Sequence, residues 1–298
     1  MRLCRFGDSY GIVCDDTVID ITTHVKNAEK PGYGDALVRA LPGLRGRDRE
    51  LQSGAIRLPL SEVALLSAVQ NPTKILAAPN NYPEHRDEMH APGAVKSSLM
   101  SSMDEVGFFL KATSSLVGPS EGIAVRFPER RTDYEVEAVI VIGEVVSEPV
   151  LASDALRYVA GYGVGLDITL RGPEERSQRK SIDSYSVFGP WLVTVDEVPD
   201  LSLLNMRLSV NGEDRQSVNL SAMLFNAAEQ IAYASQFYTL YPGDLIYTGT
   251  PSGVGPIRGG DVIYAEIESI GAMEVKVRNY SRNLSQSKTS LSVAHYLS

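Results

Sequence analysis

The sequence predicts a mainly β protein with a few helices, in an α+β arrangement. A small N-terminal α/β domain over 1–70 should precede a catalytic domain over 71–298. Three observations carry this reading. Short apolar stretches alternate with Gly/Pro-rich turns along most of the chain. Only three segments have helical spacing, and none follows strands in regular βαβ order. The texture also changes near Lys74, from short alternating strands to longer apolar ones.

The first layer opens on three short strands, RLCRF (2–6), YGIVC (10–14) and TVIDI (17–21). Polar turns at Gly7-Asp8 and Asp15-Asp16 join them. A stretch rich in Gly, Arg and Asp follows, from Gly43 to Asp48. Residues 61–78 (SEVALLSAVQNPTKILAA) read by pattern as helix then strand. Beyond them, ILAAP, DYEVEAVIVIG, GPWLVTV, MRLSVNG, DLIYTGTP, DVIYAEI and MEVKVRN all read as strands.

Residues 82–91 suit one short helix. A second begins at Ser153, a plausible N-cap, and runs towards a glycine. The third spans 220–240, with Leu224, Ala227, Ala228, Ile231 and Ala234 on one face and Pro242-Gly243-Asp244 stopping it.

Composition narrows the function classes. A mass of 32.4 kDa gives a folded surface of roughly 12,000 Å² against roughly 47,000 Å² for the extended chain, so a large core forms without staples. Net charge is −9, which argues against nucleic acid or an anionic membrane as the main partner. No apolar run approaches the length of a membrane helix. The first residues lack the charged-then-apolar layout of a signal peptide. Two cysteines, Cys4 and Cys14, make neither a disulfide framework nor a thiolate zinc site. They read as small buried hydrophobes in a reducing, cytoplasmic compartment. With only His24, His85, His90 and His295, a divalent ion would need oxygen ligands. That points to magnesium, manganese or calcium.

The segment Asp133 to Gly143 is the most informative. In a strand, Tyr134, Val136, Ala138, Ile140 and Ile142 share one face, and Asp133, Glu135, Glu137, Val139 and Val141 the other. Both faces are apolar at the C-terminal end, so the strand enters the core. Glu135 and Glu137 then stand roughly 7 Å apart, facing one way. Buried unpaired carboxylates are costly, and a divalent cation between them removes the cost. A strand end emerging into solvent is the competing reading.

On the 82–91 helix, His85 and Glu88 lie at i and i+3, on one side. A carboxylate beside an imidazole orients it as a general base for water. On spacing alone, a surface ion pair explains them better. The glycines of Gly161 to Asp167 resemble a dinucleotide fingerprint, but Leu166 holds the third glycine position and no helix follows. Thr248 to Gly255 lacks a phosphate-loop lysine. Ser177-Gln178-Arg179-Lys180 matches a penicillin-binding string in only two fixed positions.

Taken together, six pieces in order resemble the fumarylacetoacetate hydrolase family, from about Lys74 to about Arg278. They are NYPEHRDE, FLKATSSLVGP, DYEVE, GYGVGLDITLR, KSIDSYSVFGPW and PGDLIYTGTPSGVG. The resemblance implies a β-roll core binding Mg²⁺ or Mn²⁺ through Glu135, Glu137 and Asp167, with Ca²⁺ a possible substitute in a crystal. It implies a water-activating pair, His85 and Glu88, on a closing lid, with Lys180 as a further catalytic group. Lys111, Arg171, Glu174 and Thr250 would face the substrate. It also implies that 61–78 is extended, against the pattern.

The sequence departs from the family at Leu166 (usually Asn), Gly172 (often Asp) and Glu174 (often Gln). Glu174 would repel a second substrate carboxylate. The lid segment between His85 and Lys111 is also longer than the family pattern.

The chemistry implied is hydrolysis of a C–C bond in an acylpyruvate-like 2,4-diketo acid through a metal-stabilised enolate, as in aromatic catabolism. The partner is a small 2-keto acid, and the family assembles as homodimers. The same intermediate serves oxaloacetate decarboxylation and isomerisation of unsaturated 2-hydroxy diacids. A non-catalytic acid sensor would need no general base.

Overall fold

The Val136–Ile142 strand lies inside the largest sheet with every residue buried. The computed structural model describes residues 1–90, 102–198 and 200–281, without the side chains of Asp48 and of 88–90. The sheet runs from Arg57–Pro59 through Thr17–Asp20, Ser9–Cys14 and Arg2–Phe6 to Ser186–Thr194. It continues through Val159–Asp167, Val136–Ile142, Leu245–Tyr247 and Ile75–Ala77 to Phe109–Lys111. The first strand pairs antiparallel with Ser186–Thr194, Leu3 opposite Leu192, so the N-terminal strands continue the sheet that carries the site.

The alternation of the 133–143 segment holds. Tyr134, Val136, Ala138, Ile140 and Ile142 enter one core cluster. That cluster lies against a second sheet, ordered Glu213–Asn219, Asn205–Val210, Val262–Ile267, Gly271–Asn279 and Ile123–Val125. Val139 and Val141 enter another, shared with Leu37, Val38 and Leu41 of the Ala36–Leu44 helix and with Leu3 and Ile19. Tight layers on both faces explain why this strand reads as a continuous apolar run.

Residues 63–74 form no helix, and Ile75–Ala77 is a strand. The extended path implied by the resemblance holds over the apolar helical pattern. The helix expected over 220–240 is shorter, Ala227–Ser235. Asn226 starts it, because its side chain accepts the Glu229 N–H while the Glu229 carboxylate takes the Asn226 N–H. The helix expected from Ser153 starts one residue earlier, at Ala152, and turns into a 3₁₀ turn before Val159. Helices at Thr22–Ala28, Ala36–Leu44 and Asp48–Gln52 complete the N-terminal layer. No helix among the described residues is long and apolar enough to cross a membrane.

The lid expected over 85–103 falls largely outside the described residues. At its far end, Ser102 caps a short helix, Met103–Val106.

Candidate metal centre and cavity

Strand register brings the three acids together. Val136 lies opposite Leu166 and Glu137 opposite Gly165, which sets Asp167 across from Glu135. The Asp167 N–H donates to the Glu135 carbonyl at 2.9 Å. Glu135 sits in the gap between Thr132–Tyr134 and Val136–Ile142, so the chain breaks strand geometry there. Glu135, Glu137 and Asp167 are 4%, 2% and 1% exposed, and each offers an oxygen within 4.8 Å of the others. The solvent-emerging reading of the two glutamates is thereby removed.

Cations surround this triad. Lys180 Nζ donates to Glu135 Oε2, Asp167 Oδ2 and Thr169 Oγ1, each at 2.6 Å. Buried Lys111 donates to Asp167 Oδ1 and, at 2.9 Å, to the Tyr185 carbonyl. Arg171 bridges Asp133 at 2.7 Å and Glu135 at 3.0 Å. Burial opposes the charge on Glu135, but Lys180, Arg171 and His85 outweigh it and hold the carboxyl down at about 2. Glu137 goes the other way: burial, then the neighbouring Asp167, push it well up. Burial also pushes the Lys111 ammonium down, against the pull of Asp167.

The donor set fits a hard divalent cation. Oxygen ligands at about 2.1–2.4 Å from such an ion are separated by up to roughly 4.8 Å. Glu137 Oε2 accepts the Gly249 N–H at 2.7 Å. Among the described residues no hydrogen bond reaches its Oε1, and Glu137 lines the cavity, where a ligand can take that oxygen. Gly249 adopts φ +97°, and a Cβ there would stand 2.6 Å from that of Asn81. Only glycine presents this N–H to Glu137 without strain.

The triad lies on a cavity that His85, Arg171, Lys180 and Thr250 also line. His85 projects from the Pro83–His90 helix and is 6% exposed. Glu88 lies on the same helix, and its side chain is outside the described residues. Thr250 is held by the Gln216 amide, whose Nε2 donates to it at 2.9 Å while Oε1 accepts the Val136 N–H at 3.0 Å.

Lys111 touches the triad from behind, through Asp167, and does not line the cavity. Glu174 does not line it either. Arg130 clamps both its oxygens at 2.7 and 2.8 Å and holds its carboxyl down to about 2, so its charge is answered before any substrate arrives.

Sequence reasoning missed Arg176, Arg179, Phe109 and Gln216. Arg179 lies within the Ser177–Lys180 string and Arg176 directly precedes it; the string's spacing points only to an unrelated motif, and the resemblance singles out only Lys180. Gln216 is far along the chain and carries no local signal.

Comparison with known proteins identifies relatives of the chain. Residues 74–278 match the family model for the fumarylacetoacetate (FAA) hydrolase C-terminal region. A maleylpyruvate hydrolase of Aquipseudomonas alcaligenes is 46% identical over 288 residues, covering 94% of this chain and 100% of that protein. A human oxaloacetate tautomerase, mitochondrial, is 36% identical over 233 residues, covering 74% of this chain and 71% of that protein. Among solved structures, maleylpyruvate hydrolase from Sphingobium sp. SYK-6, in complex with manganese(II) and pyruvate, superposes with a TM-score of 0.81. It is 36% identical and covers 94% of this chain and 100% of that one. The sequence motifs, the buried acid triad and these matches lead to one assignment: the chain belongs to the fumarylacetoacetate hydrolase family.

Proposed function

We propose that the protein is a divalent-metal-dependent hydrolase that cleaves the C–C bond of an acylpyruvate-like 2,4-diketo acid. The observation that carries this reading is a buried three-carboxylate cluster sharing one cavity with His85 and Lys180. Its similarity to two maleylpyruvate hydrolases, one solved with manganese and pyruvate, supports it.

Glu135, Glu137 and Asp167 hold Mg²⁺ or Mn²⁺. When bound, that ion supplies positive charge for the 2-oxo acid end of the substrate and for the negative charge that develops there. His85 takes a proton from a water whose oxygen adds to the distal carbonyl. The C–C bond next to that carbonyl breaks, and its electron pair passes to the pyruvate half. Lys180, held by Glu135, Asp167 and Thr169, places its positive charge beside the negative charge that appears there. A proton then completes the pyruvate methyl, and the acyl half leaves as a carboxylic acid. Glu88 orients His85 from the next turn of the helix. Arg171 and Lys111 hold Glu135 and Asp167 in place, and Thr250 faces the substrate. The protein works on its small-molecule substrate as a homodimer in the cytoplasm.

Steady-state assay of acetylpyruvate and maleylpyruvate with Mn²⁺, and again with EDTA, tests the assignment. Metal-dependent release of pyruvate is expected, and cleavage that persists after chelation would overturn it. The human relative's activity motivates one further arm, enol–keto interconversion of oxaloacetate. Tautomerisation without any acylpyruvate cleavage would replace the hydrolase reading.

A further inference from the structure

Arg179 is a buried cation that, among the described residues, has no counter-ion. It is 3% exposed. Its Nε donates to the Glu174 carbonyl at 2.8 Å and its Nη1 to the Leu170 carbonyl at 3.1 Å. Both acceptors are neutral, and among the described residues no carboxylate lies within ion-pair distance of it. The neighbouring cations differ: Arg171 pairs with Asp133 and Glu135, Arg130 with Glu174, and Lys180 with Glu135 and Asp167. A charge removed from water and left unpaired is expensive unless a ligand answers it. Burial, with Arg171 and Arg176 nearby, accordingly pulls this guanidinium below its usual range.

Arg176 lies one turn earlier on the same short helix, so the two arginines share a face. Its guanidinium carbon stands 5.5 Å from the centre of the Phe109 ring, which is also in the cavity wall. Besides His85, the lining holds three carboxylates against four fixed cations: Arg171, Arg176, Arg179 and Lys180. A divalent ion at the triad widens that positive excess, and one substrate carboxylate does not balance it. Arginine's fixed fork matches a carboxylate, which makes it the natural seat for a second one.

We propose that Arg179 and Arg176 seat the second carboxylate of a dicarboxylic 2-oxo acid, and so make the cavity select diacids over monoacids. The proposal rests on the reading that the triad end of the cavity takes the 2-oxo acid. It assigns these two arginines as specificity determinants for the far end.

Binding tests it without turnover. Mn²⁺-loaded protein is titrated calorimetrically with 2-oxoglutarate, 2-oxoadipate and 2-oxopimelate, each against the monoacid of equal chain length. At the best length the diacid should bind about 10- to 100-fold tighter, the worth of a charge-assisted hydrogen-bonded contact. Arg176→Met and Arg179→Gln should each shrink that ratio, while monoacid affinity and bound manganese stay unchanged. Arg176→Lys should keep part of it. If Arg179→Gln does not fold, Arg176→Met carries the test alone.

A wild-type protein without preference at any length overturns the proposal. So does a ratio that survives the substitutions, or one that falls only because monoacid binding and manganese fall with it. No ligand here is cleaved. A protein that shows the arginine-dependent preference yet hydrolyses no acylpyruvate would therefore lose the hydrolase reading and keep the carboxylate seat.

Discussion

Glu137 differs from its two partners in the triad. Lys180 and Arg171 neutralise Glu135, and two lysines neutralise Asp167. Glu137 has a backbone N–H on one oxygen and, among the described residues, no cation within ion-pair distance. It therefore gains most from a bound divalent ion and loses most without it. Glu137→Ala is expected to abolish manganese retention and acylpyruvate cleavage together. Metal analysis after gel filtration checks this, and wild-type manganese content in the variant would contradict it. His85 is expected to behave in the opposite way. His85→Ala should lower hydrolysis by roughly 10²–10⁴-fold, the usual worth of a positioned base. Manganese content should hold, because the imidazole is not one of the three ligands. Parallel loss of metal and rate would make His85 a ligand or a structural group instead.

At the scale of elements, the Val159–Asp167 strand decides where Asp167 points. It carries Gly161, Gly163 and Gly165, which hid it from a reading based on β propensity and invited comparison with a nucleotide fingerprint. The structure gives these glycines a packing role. A Cβ on Gly165 would stand 2.4 Å from Val139 Cγ2 and 2.7 Å from the Tyr247 ring, and one on Gly163 would stand 2.4 Å from the Phe188 ring. The missing side chains let neighbouring strands bring large residues over this one. Gly165→Ala should thus destabilise by about 1–3 kcal/mol through overpacking, read as a lower denaturation midpoint at unchanged slope. An unchanged midpoint would show that Val139 and Tyr247 move aside freely. Local pattern succeeded where one strand encodes its own two faces, as in 133–143, and where a helix is short and polar, as in 82–91. It failed over 220–226, because the Asn226 cap outweighs the apolar spacing upstream. The acid triad was partly legible: Glu135 and Glu137 show on one strand, whereas Asp167 joins them only through pairing between strands, and family resemblance supplied it.

Across the whole molecule, the first seventy residues bear on the site through a shared core. Leu37, Val38 and Leu41 pack in one cluster with Val139, Phe188, Leu245 and Tyr247. Val139 lies two residues along the strand from Glu137. The Arg2–Phe6 strand pairs with Ser186–Thr194, which itself pairs with the strand ending at Asp167. The texture change near Lys74 marks where the chain begins to build the site, and the sheet runs through it without a gap in hydrogen bonding. A layer joined in this way should not unfold independently. Leu37→Ala removes a fully buried side chain from the shared cluster and should cost about 2–5 kcal/mol. Unfolding followed by circular dichroism and by manganese release is then expected to move to lower temperature together, in one transition. Added manganese should raise both midpoints, since it binds only the folded cavity. A variant in which an early transition leaves manganese bound would show that the N-terminal layer melts on its own, and that the core it shares with the Glu137 strand does not couple the two.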